Sequence, residues 1–471
     1  MSTTLVVRQE TGFFARTLAS LRDVWDDLAG TESVEALKPD LEGRDLTVVR
    51  KQMAACLERK GGEVSARKRA AALGQAYLSL SRDGRRRFLL VLAKEFGARP
   101  EDIDKALEGW KEAGDDAARH KAEEALRNAL TPASTILLMQ FNALPQGVKF
   151  LVDMRADILS FLSKEPDLQP LDSSLQALLV SWFDIGFLEM QAISWNSPAS
   201  LLEKLIEYEA VHEIRSWEDL RNRLESDRRL YAFFHPRMPE EPLIFVEVAL
   251  VNGLSGNVQK LLDESAPTGD PEKADTAIFY SISNTQKGLR GISFGNFLIK
   301  RVVDDLRRDL PNLKTFSTLS PIPGFRKWLE KAVAEGLPNI LTAEDRRRLK
   351  DVTGETATKG YLMKILADPS WTQDDALVAA LKEPLTRLCA RYLVEEKRGT
   401  LPLDPVARFH LQNGSQVERI NWMGDTSPKG IEQSAGMMVN YLYRLGDIER
   451  NHERFSSDGT VVYSSAVKAL L

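Results

Sequence analysis

TAIFYSISNTQKGLRGISFGNFLIKRVVDDLRRDLPNLKTFSTLSPIPGF, residues 276–325, decides the fold. Residues 277–283 alternate large apolar side chains (Ile278, Tyr280, Ile282) with Phe279 and small ones, a period-two pattern that predicts a strand buried on at least one face. A loop with three glycines follows, Gly288, Gly291 and Gly295. Ile299, Val302, Val303, Leu306 and Leu310 then recur at helical spacing, with Lys300, Arg301, Asp304, Asp305, Arg307 and Arg308 on the other face. Pro311 stops the helix. Residues 313–319 predict a second strand, which ends in Ser320-Pro321-Ile322-Pro323-Gly324.

Strand, glycine loop, helix and strand make a βαβ unit. If its strands are parallel neighbours in one sheet, the crossover is right-handed. The start of the helix and Ser320 then both lie at the carboxyl edge of the sheet, where open α/β sheets bind ligands. Residues 290–296 are expected to offer backbone N–H groups and the positive end of a helix dipole to an anion such as a pyrophosphate. Spacing alone leaves open that this is a plain connection. It is neither the Walker pattern nor the dinucleotide GxGxxG.

Working outward, residues 1–182 read as an all-α helix bundle. The segments 46–57, 66–79, 85–96 and 101–113 carry apolar residues three and four apart, and Pro132, Pro145, Pro166 and Pro170 fall between helices. The basic clusters Arg67-Lys68-Arg69 and Arg85-Arg86-Arg87 read as solvated faces. From residue 183 to 471 the pattern is mixed α/β, with strands at 187–195, 230–234, 243–250, 416–423 and 437–443 around the βαβ unit. A run of helices at about 326–402 interrupts it as an insertion. In DPVARFHLQNG, Asp404 suits an N-cap, Pro405 the first helical position and Gly414 the position just past the end, so 406–412 is a short capped helix holding His410.

The chain has 471 residues, more than one hydrophobic core holds, and a balanced formal net charge of −5. Neither nucleic acid nor an anionic membrane is an expected partner. The two cysteines, Cys56 and Cys389, lie far apart, and with five histidines there is no HExxH or CxxC, so no metal site is expected. No stretch is apolar enough for a membrane helix and no signal peptide is visible, so a cytoplasmic location is the expectation.

Two motifs resemble those of the GNAT acyltransferases. Arg290-Gly291-Ile292-Ser293-Phe294-Gly295 is similar to their pyrophosphate loop, with Ser293 where the middle glycine usually sits. Asp404 to Gly414 is similar to their late helix, with His410 in place of the tyrosine that commonly acts as an acid. The match sharpens over HPRMPEEPLIFVEVAL (235–250), FYSISNTQKGLRGISFGNFLIKRV (279–302), FSTLSPIPGF (316–325), FHLQNG (409–414), RINWMGD (419–425) and MMVNYLY (437–443). On these the chain resembles the malonyl-CoA decarboxylase family. LSPIPGF together with FHLQNG is the specific pair.

That resemblance implies a helical oligomerisation domain, a homotetramer, and a GNAT-like acyl-CoA-binding catalytic domain. It implies conversion of malonyl-CoA to acetyl-CoA and CO2 with no metal or organic cofactor, coenzyme A being part of the substrate. It maps the catalytic serine to Ser320, the catalytic histidine to His410, the substrate loop to Arg290, Gly291, Ile292, Ser293, Phe294, Gly295 and Asn296, and a site tyrosine to Tyr443. Animal members carry a glutamate in that loop where this chain has Ser293. A histidine titrating near neutral pH is expected to deliver the proton that replaces CO2. Taken without the resemblance, Ser320 reads as a turn-capping loop residue and His410 as a packed histidine. A GNAT-type acyltransferase and a non-catalytic acyl-CoA sensor are the competing readings.

Overall fold

A computed structural model describes residues 25, 29, 37–58, 62–292 and 298–471. These divide into two units. The first takes the described residues of Met1–Glu189, Phe234–Pro242 and Gln286–Phe294; the second takes Met190–Phe233, Leu243–Thr285 and Gly295–Leu471.

The first unit is helical. Helices Arg44–Leu57, Gly62–Ser79, Arg82–Glu95 and Pro100–Glu112 fall on the four segments read from periodicity, and Asp116–Leu130, Ala133–Asn142, Gly147–Phe161 and Gln169–Trp182 follow. Phe150 packs edge-on against Trp25, Tyr77 and Phe141 at the centre of the unit. Arg85, Arg86 and Arg87 pair with Asp157, Glu165 and Glu42, at 3.1, 2.6 and 2.7 Å, so this cluster knits the bundle instead of waiting for an anion. The unit also holds the start of the glycine loop. Arg155, 2% exposed, donates from Nη1 to the carbonyls of Gly288 and Arg290, at 2.7 and 2.9 Å, while its Nε donates to Asp172 at 2.9 Å.

The second unit is built on an eight-stranded mixed sheet. Its strands in chain order are β1 (Glu189–Ile193), β2 (Arg228–Phe234), β3 (Ile244–Val251), β4 (Thr276–Asn284), β5 (Thr315–Thr318), β6 (Ser320–Pro321), β9 (Gln416–Asn421) and β10 (Met438–Leu442); β7 (Lys397–Arg398) and β8 (Leu401–Pro402) form a separate small hairpin. The spatial order is β1-β2-β3-β4-β5-β10-β6, with β9 also on β10. β4 and β5 are parallel, joined through the helix Leu298–Asp309, so the central βαβ unit forms as its periodicity dictates. The other pairings in β2–β3–β4 and around β10 are antiparallel.

Two irregularities in this sheet make room for a site. Val248 faces Phe279 and Glu247 faces Ser281, so Tyr280 is an extra residue, a bulge on β4. The β4–β5 pairing ends at Phe279↔Thr318, with a last bond from Leu319 N–H to the Phe279 carbonyl at 3.0 Å. β4 runs on to Asn284, but from Ser320 the other strand turns to β10, where Ser320 faces Val439. The sheet therefore opens between β4 and β6.

The insertion is helical, as its spacing predicts: Phe325–Ala334, Ala343–Thr353, Lys359–Ala367 and Asp375–Val394. The sequence spacing predicts two helices here, 372–381 and 384–393, parted before Pro384. The helix instead runs through it, with Leu381, Leu385 and Leu388 all buried on one side. Packing of that face outweighs the lost N–H and the ring clash, which alone would end a helix. Tyr392 from this helix packs at a tilt against Trp328, ring centroids 5.3 Å apart, and its hydroxyl donates to Asp404 at the N-terminus of the helix Pro405–Gln412.

Candidate active site

The helix Pro405–Gln412 begins at Asp404, as its sequence requires. The Asp404 carboxylate accepts the N–H groups of Val406 and Ala407, at 2.9 and 2.8 Å, and Pro405 occupies the first turn. Asp404 is fully buried, and burial raises its carboxyl to about 6. The helix ends at Gly414 with φ +80, where a Cβ would stand 2.2 Å from the Ile448 carbonyl oxygen, so only glycine fits. The helix is thus held at both ends, and His410 on it points inward with 3% exposure.

Three residues from distant segments meet there. His410 Nε2 lies 3.1 Å from Ser320 Oγ, and its Nδ1 lies 2.8 Å from the Tyr443 hydroxyl. The imidazole stacks on the Tyr441 ring, centroids 4.6 Å apart and planes 25° from parallel. Ser320 Oγ donates to Thr318 Oγ1 at 2.8 Å. Ser320, His410 and Tyr443, the residues singled out in the sequence, are brought together. Thr318 and Tyr441 were not singled out. Each lies two residues before a named one, and two-residue spacing on a strand returns to the same face, so period two was the signal that finds them.

A cavity of about 220 Å³ opens beside this chain of groups. Val211, with Phe279, Tyr280 and Ile282 of β4, Pro321 of β6, and Pro405, Val406 and Phe409 of the capped helix, form its apolar walls, and Ser320, His410 and Asn284 are its polar groups. It fills the gap where β4 and β6 part. Its volume is below that of pockets that take whole drug-sized ligands and suits the acyl end of one.

Electrostatics correct one expectation. Burial pushes the His410 imidazole down to about 3, so the ring is neutral, not half-protonated, at neutral pH. Burial also raises the Tyr443 hydroxyl well above its ordinary value. Unfolded, the same histidine titrates near 6.5. Below that pH the unfolded chain takes a proton that the folded one refuses, so the native state loses stability as pH falls from about 6.5 towards 3. Asp404 acts in the opposite sense, which makes a comparison of variants the clean readout. The stability of His410→Asn relative to the wild type should rise by about 1.4 kcal/mol per pH unit below about 6.5, measured by denaturant titration. A pH-independent difference would mean that the folded ring takes up its proton as readily as the unfolded one.

The expected substrate loop lies partly outside the described residues: Ser293, Phe294, Gly295 and Asn296 are not among them. Of the rest, Arg290 and Ile292 use their N–H groups in local turns, to the carbonyls of Lys287 and Leu289 at 3.2 and 3.0 Å, so an anion on this segment would be met by its other groups. Gly288 is a packing residue: a Cβ there would lie 1.7 Å from the Val152 carbonyl oxygen. Gly291 has φ +79, the conformation glycine permits.

Residues 186–471 match the malonyl-CoA decarboxylase C-terminal domain and residues 96–183 the N-terminal domain of the same family. Among curated proteins, the mitochondrial malonyl-CoA decarboxylase of Anser anser anser is 42% identical over 402 residues, 82% of this chain and 80% of that one. That of Rattus norvegicus is 40% identical over 362 residues, 74% of this chain and 73% of its own. Among crystal structures, malonyl-CoA decarboxylase from Rhodopseudomonas palustris superposes with a TM-score of 0.82 at 42% identity, covering 89% of this chain and 98% of that one. The Agrobacterium vitis enzyme gives a TM-score of 0.80 at 44% identity, covering 90% and 99%. With matching domains over most of its length, the chain belongs to the malonyl-CoA decarboxylase family.

Proposed function

We propose that this protein converts malonyl-CoA to acetyl-CoA and CO2 by means of His410, Ser320 and Tyr443. The observation that carries the reading is the buried run of hydrogen bonds from Tyr443 through His410 to Ser320, facing a small apolar cavity. Loss of CO2 from the malonyl group leaves the electron pair of the broken C–C bond in a thioester enolate. Donors fixed beside that charge lower the barrier. The mostly apolar walls leave His410 as the proton donor beside the carbon, so the proton comes from the protein. His410 is neutral, and the group that delivers is its N–H. The proton passes from Nε2, which Ser320 holds in the resting enzyme, to C2 of the enolate as the Tyr443 hydroxyl protonates Nδ1. After product leaves, water returns a proton to Nε2 and Nδ1 gives its proton back to the phenolate, the hydroxide left over going with the CO2. Ser320 orients the imidazole and the malonyl carboxylate. Every step uses protein groups alone, with no metal or organic cofactor.

The test is turnover. Purified protein should release CO2 from malonyl-CoA in step with acetyl-CoA formation, at a rate that chelators do not change, and in heavy water the product should carry one deuterium at C2. Binding without CO2 release would make it a sensor. Transfer of the acyl group to an added amine would make it an acyltransferase.

Residues 290–296 are proposed to bind the CoA pyrophosphate. Gly291→Val should weaken CoA binding measured by calorimetry, because a branched side chain is excluded at this φ and blocks close approach. Unchanged affinity in the folded variant would remove the loop from the site. The helical unit is proposed to assemble the chain into a homotetramer in the cytoplasm; light scattering on the intact protein should give the mass of four chains. Among the described residues, no helix is long and apolar enough to cross a membrane.

A further inference from the structure

We propose that Thr318 is a positioning residue for this reaction: its hydroxyl oxygen takes the proton of Ser320 and thereby commits His410 to the tautomer protonated on Nε2.

The argument is a count of protons. Thr318 Oγ1 accepts the backbone N–H of Tyr441 at 3.1 Å, a bond that can run in only one direction. The same oxygen accepts the Ser320 hydroxyl at 2.8 Å. The Thr318 carbonyl is tied down too, by Asn440 Nδ2 at 2.6 Å, so the residue is fixed at the seam between β5 and β10. That seam has a single register pair, Leu442↔Ser317, and side chains supply what the backbone ladder lacks.

A serine hydroxyl has one proton. Given to Thr318, it leaves only lone pairs facing His410. The hydrogen in the 3.1 Å contact between Ser320 Oγ and Nε2 then belongs to Nε2. A neutral imidazole carries one N–H, so Nδ1 is an acceptor, and the Tyr443 hydroxyl 2.8 Å away donates to it. All the hydrogens point one way: Tyr443 to His410 to Ser320 to Thr318. In this arrangement Ser320 is no nucleophile, since His410 has no lone pair at Nε2 to take its proton. Ser320 holds that N–H at the edge of the cavity, and it leaves for the substrate carbon when that carbon takes the place of the Ser320 oxygen. Without the Thr318 oxygen, the Ser320 hydroxyl is free to turn and donate to Nε2, and the imidazole shifts to its other tautomer, with no proton facing the substrate.

Thr318 itself is fully buried and is not part of the cavity wall, so it acts through Ser320 and His410 and does not touch substrate. The inference rests on the decarboxylase reading for its role in turnover, but the tautomer can be read without any turnover.

The experiment is imidazole nitrogen NMR on the intact, histidine-labelled protein near neutral pH, with steady-state kinetics on two variants. In the wild type, His410 should show a protonated Nε2 and an unprotonated Nδ1. Thr318→Val keeps the shape and removes the hydroxyl. It should lower kcat by about 10- to 10²-fold, the scale of a small misplacement of a reacting group, while KM stays unchanged and the His410 signals move towards the other tautomer. Thr318→Ser should restore both. A protonated Nδ1 in the wild type overturns the proposal, as does Thr318→Val with normal kcat, or Thr318→Ser as impaired as the valine. If the valine variant does not fold, the wild-type spectrum and the serine variant still decide. If malonyl-CoA is not turned over at all, the spectrum still reports the tautomer, so the two readings fail separately.

Discussion

His410→Asn should bind malonyl-CoA and lose a factor of about 10² to 10⁴ in kcat, the usual contribution of a positioned proton donor. Asparagine retains polarity and approximate size, but its amide is a far weaker acid than an imidazole relayed to a phenol. Ser320→Ala should fall in the same range, with a higher KM if the hydroxyl also holds the malonyl carboxylate. The two losses should not multiply. Ser320 and His410 share one hydrogen bond, so removing either disables the same device, and the double variant should be little worse than the worse single one. The pH dependence separates this mechanism from one that uses an imidazolium. kcat/KM reports the free enzyme, in which His410 is neutral down to about 3. Its profile should therefore have no limb near 6.5 that disappears in His410→Asn. Near-normal CO2 release from folded His410→Asn would end the assignment, and Tyr443 would then be the donor to test.

The parts of this site that could be read in the sequence are those set by local rules. The capped helix was legible because Asp404, Pro405 and Gly414 each answer a requirement of a helix end, and the structure meets all three. The βαβ unit was legible because period two gives way to helical spacing and back again within one stretch. What could not be read depends on pairings between distant segments. β10 comes more than a hundred residues after β5 and yet lies beside it, and only that insertion turns Ser320 away from β4 and opens the cavity. The neutrality of His410 is likewise a consequence of burial by Phe409, Tyr441 and Tyr443 together, which no single motif states. Thr318 and Tyr441 sat within reach of the period-two rule, but their value depends on which face His410 meets. The first unit's hold on the start of the glycine loop was hidden for a related reason: Arg155, on a helix that gives no sign of it, grips the carbonyls of Gly288 and Arg290, more than a hundred residues away.

The largest effect on stability is expected at Arg223, behind the same bulge. Its guanidinium is 2% exposed and fully engaged: Nε and Nη2 donate to Asp219 at 2.8 and 3.2 Å, Nη1 donates to Glu247 at 3.1 Å, and the carbonyls of His212 and Glu213 accept at 2.8 and 3.1 Å. Glu247 has no exposure at all, and burial raises its carboxyl to about 7 even with Arg223 pulling it down. Arg223→Leu removes the cation and leaves two buried carboxylates and two carbonyls without their donor. Breaking such a pair by removing one partner costs about 3–5 kcal/mol, to be read from urea denaturation of the intact protein. The deficit should be smaller at acid pH than at alkaline pH, because Glu247 can then take a proton and shed its charge. Adding Glu247→Gln should recover part of it at alkaline pH, the coupling expected of contacting residues. Because Glu247 faces Ser281 beside the extra residue Tyr280, whose side of β4 lines the cavity, the variant should also lose decarboxylation before it unfolds. A loss below about 1 kcal/mol at alkaline pH, the size of an exposed pair, would show that water reaches these carboxylates and that the network does not hold the bulge in place.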